Sequence, residues 1–108
     1  MWLTTDLGQR EALDSVLVIG RGPAGVASGE RAVVVDSPTG SISRVHLKVG
    51  LGPDGVWAED TFSTNGTVIR AADGSTIPID RGRRLPVPPG ATLILGKERT
   101  LTITQAPV

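Results

Sequence analysis

Three short stretches of this chain carry side chains suited to holding a tetrahedral anion. In "VLVIGRGPAG", Arg21 stands between two glycines directly after the apolar run Val16–Gly20. In "GSISRVHLKV", Ser41, Ser43, Arg44 and His46 gather at the mouth of a strand. In "EDTFSTNGTVI", Ser63, Thr64 and Asn65 lie between two strand-like runs. A guanidinium supplies a charged, forked pair of donors. Hydroxyls and backbone N–H groups fill the remaining oxygens of a phosphate.

Other chemistries fit these residues less well. Gly20, Gly22 and Gly25 spell G-x-G-x-x-G, but a dinucleotide site needs a helix after the glycines, because the pyrophosphate sits on that helix N-terminus. Only Val26–Arg31 separates Gly25 from the next strand-like run, and Asp36 arrives too early to be the ribose-binding acid. A hydrolytic triad of Ser43, His46 and Asp60 lacks a nucleophile elbow, and Ser43 and His46 share one short segment. With one His and no Cys, a zinc centre would need carboxylates, so no metal and no cofactor are expected.

The elements that must position these residues read as strands. Runs rich in Val, Ile, Leu and Thr occur at Trp2–Asp6, Val16–Gly20, Ala32–Asp36, Val45–Val49, Val56–Asp60, Thr67–Arg70, Leu85–Val87, Thr92–Leu95 and Leu101–Thr104. Turn signals punctuate them: Gly22-Pro23, Pro38-Thr39-Gly40, Gly52-Pro53-Asp54-Gly55, Asn65-Gly66, Asp73-Gly74 and Pro88-Pro89-Gly90. Fourteen Gly and eight Pro leave little room for helix. Gln9–Leu17 could form a turn or two, though a hairpin loop suits it better. This rhythm predicts an all-β sandwich or barrel of short strands. The basic stretch Asp80–Gly90 reads as a solvated loop.

Length predicts a single domain over residues 1–108. A strand-like run directly after Met1 suggests a piece of a larger protein. Eleven Lys and Arg balance eleven Asp and Glu, which argues against a general nucleic-acid or anionic-membrane binder. No apolar run approaches transmembrane length, and neither membrane insertion nor a signal peptide is expected of this segment.

Gly20-Arg21, "SRVH" (Ser43–His46) and "STNGT" (Ser63–Thr67), in this order and at about twenty-residue intervals, resemble the forkhead-associated (FHA) domain family. The resemblance runs from Leu13 to Ile103. It implies an all-β sandwich of about 10–11 short, mostly antiparallel strands, of the FHA/SMAD-like kind, that binds phosphothreonine peptides through ligand loops at one end. Arg21 would then pair with the phosphate and Ser43 would donate its hydroxyl to it. Arg44 would face the phosphate through backbone or side chain. Thr64 would offer a hydroxyl or line the slot for the threonine methyl, and Asn65 would hydrogen-bond the peptide backbone. Gly20 and Gly66 would allow tight turns, and His46 would tie the loops together. Ser41 would sit where the family selects the third residue after the phosphothreonine. Being small and neutral, it predicts no strong demand for an acidic residue there.

Phosphothreonine carries about −1.5 to −2 charges, and charge-assisted hydrogen bonds contribute about 1.5–3 kcal/mol each. After ordering and association costs, a transient, roughly micromolar contact is expected. The expected partner is a phosphothreonine-containing protein or peptide, in trans or in cis, which implies a Ser/Thr kinase in the same, cytoplasmic compartment. The alternative is a phospho-independent interaction module that has lost phosphate binding. Nine Arg against two Lys, with abundant Gly, Ala and Val, suggests a GC-rich, actinobacterial-like bacterial source.

Overall fold

Period-two alternation requires that one face of each strand find an apolar partner. The computed structural model, which describes residues 1–104, satisfies this with two sheets packed face to face. The single-domain expectation includes residues 105–108, which lie outside the described residues. The strands are β1 (Trp2–Thr5), β2 (Arg10–Ala12), β3 (Val16–Gly20), β4 (Glu30–Val34), β5 (Leu47–Gly52) and β6 (Gly55–Asp60), followed by β7 (Thr67–Arg70), β8 (Thr76–Ile79), β9 (Arg84–Pro86), β10 (Thr92–Leu95) and β11 (Arg99–Thr104).

One sheet has the order β2-β1-β11-β10-β7-β8 and the other β4-β3-β5-β6-β9. Every pairing is antiparallel except β3 with β4, which run parallel. Leu3, Leu17, Ile19, Leu47, Leu93, Leu95 and Leu101 are fully buried between the sheets. Two core residues come from the β4–β5 loop: Val35 and the fully buried Ile42. Ile42 lies between Ser41 and Ser43, so burying it anchors the segment that carries both serines.

The all-β sandwich agrees with the sequence expectation, and β3, β7 and β10 match it to the residue. The segment at Gln9–Leu17 contributes a strand, β2, rather than a helical turn. β2 and β8 lie outside the runs that the sequence marks as strands for a shared reason: both are sheet edges without an alternating buried face, β8 being mostly exposed and β2 having no fully buried side chain. An edge strand is defined by its neighbour's ladder, and Pro78 in β8 suits an edge because it needs no ladder N–H on the open side. β4 begins two residues before its expected start, and β5 begins two residues after.

The register brings one set of loops to the same end. Gly20 pairs with Val34, and Leu47 pairs with Asp60. Thr67 pairs with Leu95 and with Ile79. The loops 35–46, 61–66, 80–83 and 96–98 therefore leave the sandwich together, and the segment 21–29 starts at the same end before running back to begin β4 beside Val16.

Candidate functional site

The loop rim is laced by backbone. Arg21 N donates to Ser43 O at 3.1 Å, and Gly22 N donates to Arg44 O at 3.3 Å. His46 N donates to Ile19 O at 2.8 Å, so residues 43–46 continue the β3–β5 ladder beyond the assigned strands. The two chains approach closely at Gly20. A Cβ there would lie 1.9 Å from Arg44 O and 2.8 Å from Ser43 O. Gly20 is thus required by close packing rather than by a tight turn, which corrects the sequence-based reason for it. Gly66 does need its conformational freedom, with φ +83° and open space around it.

His46 joins two loops from within. It is fully buried. Ser43 N–H donates to its Nδ1 at 3.0 Å. That nitrogen must therefore be an acceptor, and the proton sits on Nε2, which donates to Gly66 O at 2.9 Å. Burial holds the imidazole pKa below its usual value of 6.5. The neutral ring is what this geometry needs.

Ser43 spans the same gap at the surface. Its Oγ accepts the Thr64 N–H at 3.0 Å, which leaves its own proton to donate elsewhere. Asn65 Nδ2 donates to Ser41 O at 2.8 Å, leaving Oδ1 as an outward acceptor. The Ser41 hydroxyl donates to Glu98 at 2.5 Å, alongside Ser37 Oγ at 2.6 Å and Thr39 N at 2.8 Å. These donors hold the Glu98 carboxyl down at about 2. Ser41 therefore lies on the rim with its hydroxyl turned inward.

A buried carboxylate shapes the third loop. Asp60 is fully buried and accepts Ser63 N at 2.9 Å, Ser63 Oγ at 2.5 Å and Thr67 Oγ1 at 2.8 Å. Ser63 Oγ in turn accepts Gly66 N at 3.1 Å. From outside, Arg81 Nε donates to Ser63 O at 2.7 Å and Arg81 Nη2 to Thr64 O at 2.8 Å. The basic stretch read as a solvated loop thus contains a clamp.

Arg21, Ser43, Arg44, Thr64 and Asn65 all sit on this rim. Arg21 and Arg44 are exposed, and neither guanidinium has a carboxylate partner among the described residues. Two cations without carboxylate partners, on the same rim as a free hydroxyl proton and a free amide oxygen, make a surface suited to an anion. The triad reading has no geometry behind it. The Ser43 contact to His46 is made by backbone N–H rather than Oγ, and Asp60 is committed to Ser63 and Thr67. Among the described residues, no group of three or more His, Cys, Asp or Glu is placed to hold a metal ion. No helix among them is long and apolar enough to cross a membrane. A hollow of about 340 Å³, lined by Met1, Val56, Pro86, Val87 and Ile103, shares none of the rim residues.

Sequence reasoning missed Ile42, Arg81 and Glu98 as parts of this site, and it offered the Ser63 hydroxyl to the anion, whereas Ser63 is fully buried and gives that hydroxyl to Asp60. An apolar residue between two loop serines was the one available signal, and it pointed to Ile42.

The described residues thus form a two-sheet sandwich with exposed, carboxylate-free cations and a free Ser43 hydroxyl proton on laced loops at one end. No protein-family model matches the sequence, and no curated protein matches it. Solved structures do. The human APLF FHA domain, in complex with an XRCC1 bisphospho peptide, superposes with a TM-score of 0.68 at 20% identity, over 95% of this chain and 97% of that one. The FHA domain of CT664 from Chlamydia trachomatis gives 0.67 at 24% identity, over 96% and 97%. The FhaA FHA domain, complexed with the intracellular domain of Rv3910, gives 0.61 at 23% identity, over 94% and 96%. The fold of this chain is the forkhead-associated fold.

Proposed function

We propose that this domain is a non-catalytic reader of phosphothreonine-containing peptides. The observation that carries the reading is the rim itself. Ser43 stitches the second loop to the third through its acceptor lone pair, keeping its proton for a ligand on the rim that also carries the exposed Arg21 and Arg44, neither with a carboxylate partner among the described residues. Arg21 supplies the charge-assisted contact to phosphate, Ser43 a hydroxyl donor, and Arg44 a second cation at the rim. Thr64 meets the phosphothreonine with its side chain, and Asn65 accepts a peptide N–H on its free Oδ1. Gly20, His46 and Gly66 hold the loops for them.

Support comes from domains of the same fold. One is seen with a bisphospho peptide and another with an intracellular domain; a third comes from work on phosphothreonine-dependent FHA domain interactions. The reading carries a Ser/Thr kinase as the upstream writer and a cytoplasmic setting. Ser41 shapes the outer wall of the site with Glu98 behind it, and that pair disfavours an acidic residue at the third position after the phosphothreonine.

The test is titration of a degenerate phosphothreonine peptide library, with phosphoserine and unphosphorylated controls, against wild type and Arg21→Ala. Roughly micromolar binding that needs the phosphate, prefers threonine and vanishes in the variant is expected. Folded protein that binds no phosphopeptide would turn the reading to a phospho-independent module.

A further inference from the structure

We propose that Phe62 forms an apolar subsite on the rim that takes a hydrophobic side chain flanking the phosphothreonine in the same peptide. The proposal rests on the rim being a phosphopeptide site. Phe62 is the chain's one Phe, and it is 74% exposed. Its backbone has φ +62°, a left-handed conformation that an aromatic residue adopts only against steric resistance. It takes no part in the core. Exposure and backbone strain fall on one side chain, and neither is offset by burial. Strain of this kind concentrates at ligand-binding sites.

The ring is also held in place. Its Cζ and Cε2 lie 2.4 and 2.7 Å from where a Cβ on Gly82 would stand, so the ring rests on the glycine backbone. Gly82 N donates to Asp60 O at 2.8 Å, and Arg83 N closes the turn onto Asp80 O at 2.9 Å. The neighbouring Arg81 grips the carbonyls of Ser63 and Thr64. One turn therefore supports both the aromatic ring and the loop that presents Thr64, two residues further on. A rigid aromatic face beside a charged rim is a low-entropy anchor for an apolar side chain. The occupant is part of the same ligand because the face is continuous with the Thr64 loop.

The experiment compares two phosphothreonine peptides, one with the apolar flanking residue selected from an oriented library and one with alanine there. They are titrated against wild type, Phe62→Gly, Gly82→Ala and Arg21→Ala, with thermal melts and sedimentation alongside. Glycine accepts the left-handed backbone, so Phe62→Gly should melt no lower than wild type. Wild type should prefer the apolar peptide by about tenfold. That ratio should collapse to about one in Phe62→Gly, and it should shrink in Gly82→Ala, where the ring is displaced. No apolar selection by wild type, or an unchanged ratio in Phe62→Gly while Arg21→Ala loses both peptides, overturns the subsite and leaves the phosphate reading standing. A wild type that binds neither peptide overturns both. A dimer that becomes a monomer in Phe62→Gly would assign the ring to a second copy of the chain instead.

Discussion

Ser43 and Ser63 have the same side chain in adjacent loops, yet their substitutions should have opposite consequences. Ser43 is half-buried at the rim, and its Oγ accepts one bond, from the N–H of the exposed Thr64. In Ser43→Ala, water replaces that acceptor, so the stability loss should stay near the net worth of one hydrogen bond, about 0.5–1.5 kcal/mol. The hydroxyl proton aimed at a phosphate oxygen is a charge-assisted donor worth about 1.5–3 kcal/mol, or about tenfold to a hundredfold in Kd. Ser63 is fully buried and donates to Asp60 at 2.5 Å. In Ser63→Ala a buried carboxylate loses one of its donors, which costs about 1–3 kcal/mol or more because the group is charged. That lowers Tm by about 4–8 °C per kcal/mol for a domain of this size. Affinity per folded molecule should change little. Fluorescence anisotropy with one phosphothreonine peptide and thermal denaturation of both variants separate the two effects. Ser43→Ala binding within twofold of wild type, or Ser63→Ala losing more affinity than Ser43→Ala among folded molecules, would refute the assignment of Ser43 as the ligand-facing hydroxyl.

Three further outcomes are expected. Gly20→Ala places a methyl 1.9 Å from Arg44 O; the backbone must part, costing about 1–3 kcal/mol. Peptide affinity should fall as well, because the Arg21–Ser43 and Gly22–Arg44 bonds open. Denaturant midpoints and the same anisotropy assay read both losses. His46 gives the pH dependence. Its folded pKa lies below 6.5, so its stabilising contribution is complete above about pH 6.5 and disappears as pH falls through the lower folded value. Melts from pH 8 to pH 5 should show Tm falling in that window, and His46→Gln should flatten this limb. The Glu98 contribution is lost lower down, below its ordinary 4.5 and toward about 2. On a phosphothreonine peptide array, aspartate at the third position after the phosphothreonine should not dominate, and Glu98→Gln should raise its tolerance. Aspartate dominance in the wild type would show that the Ser41–Glu98 wall does not face the ligand.

The sandwich was legible because alternation and turn chemistry are local. β3, β7 and β10 carry apolar or β-branched residues bounded by Gly, Asn or Pro, and those patterns survive folding unchanged. β2 and β8 were not legible, since an exposed edge needs no apolar face and borrows its geometry from the neighbouring strand. The parallel pairing of β3 with β4 was equally hidden. Nothing in "RGPAGVASG" states that the chain doubles back to start β4 beside the start of β3.

The site divides along the same line. By itself the sequence determined which chemistry was available: a guanidinium after a strand, serines and a histidine at a strand mouth, and a Ser-Thr-Asn-Gly turn. These are properties of residue type and short spacing. The tertiary structure alone decided how each group is spent. It turned the Ser41 hydroxyl toward Glu98, gave Ser63 to buried Asp60, and left the Ser43 proton free. It made Arg81 a clamp while leaving Arg21 and Arg44 without carboxylate partners among the described residues. It also lodged Ile42 in the core, and it stood Phe62 on Gly82 in a left-handed backbone. Most of these contacts join residues about twenty or more positions apart. Their geometry depends on sheet register and loop approach, which no local pattern encodes.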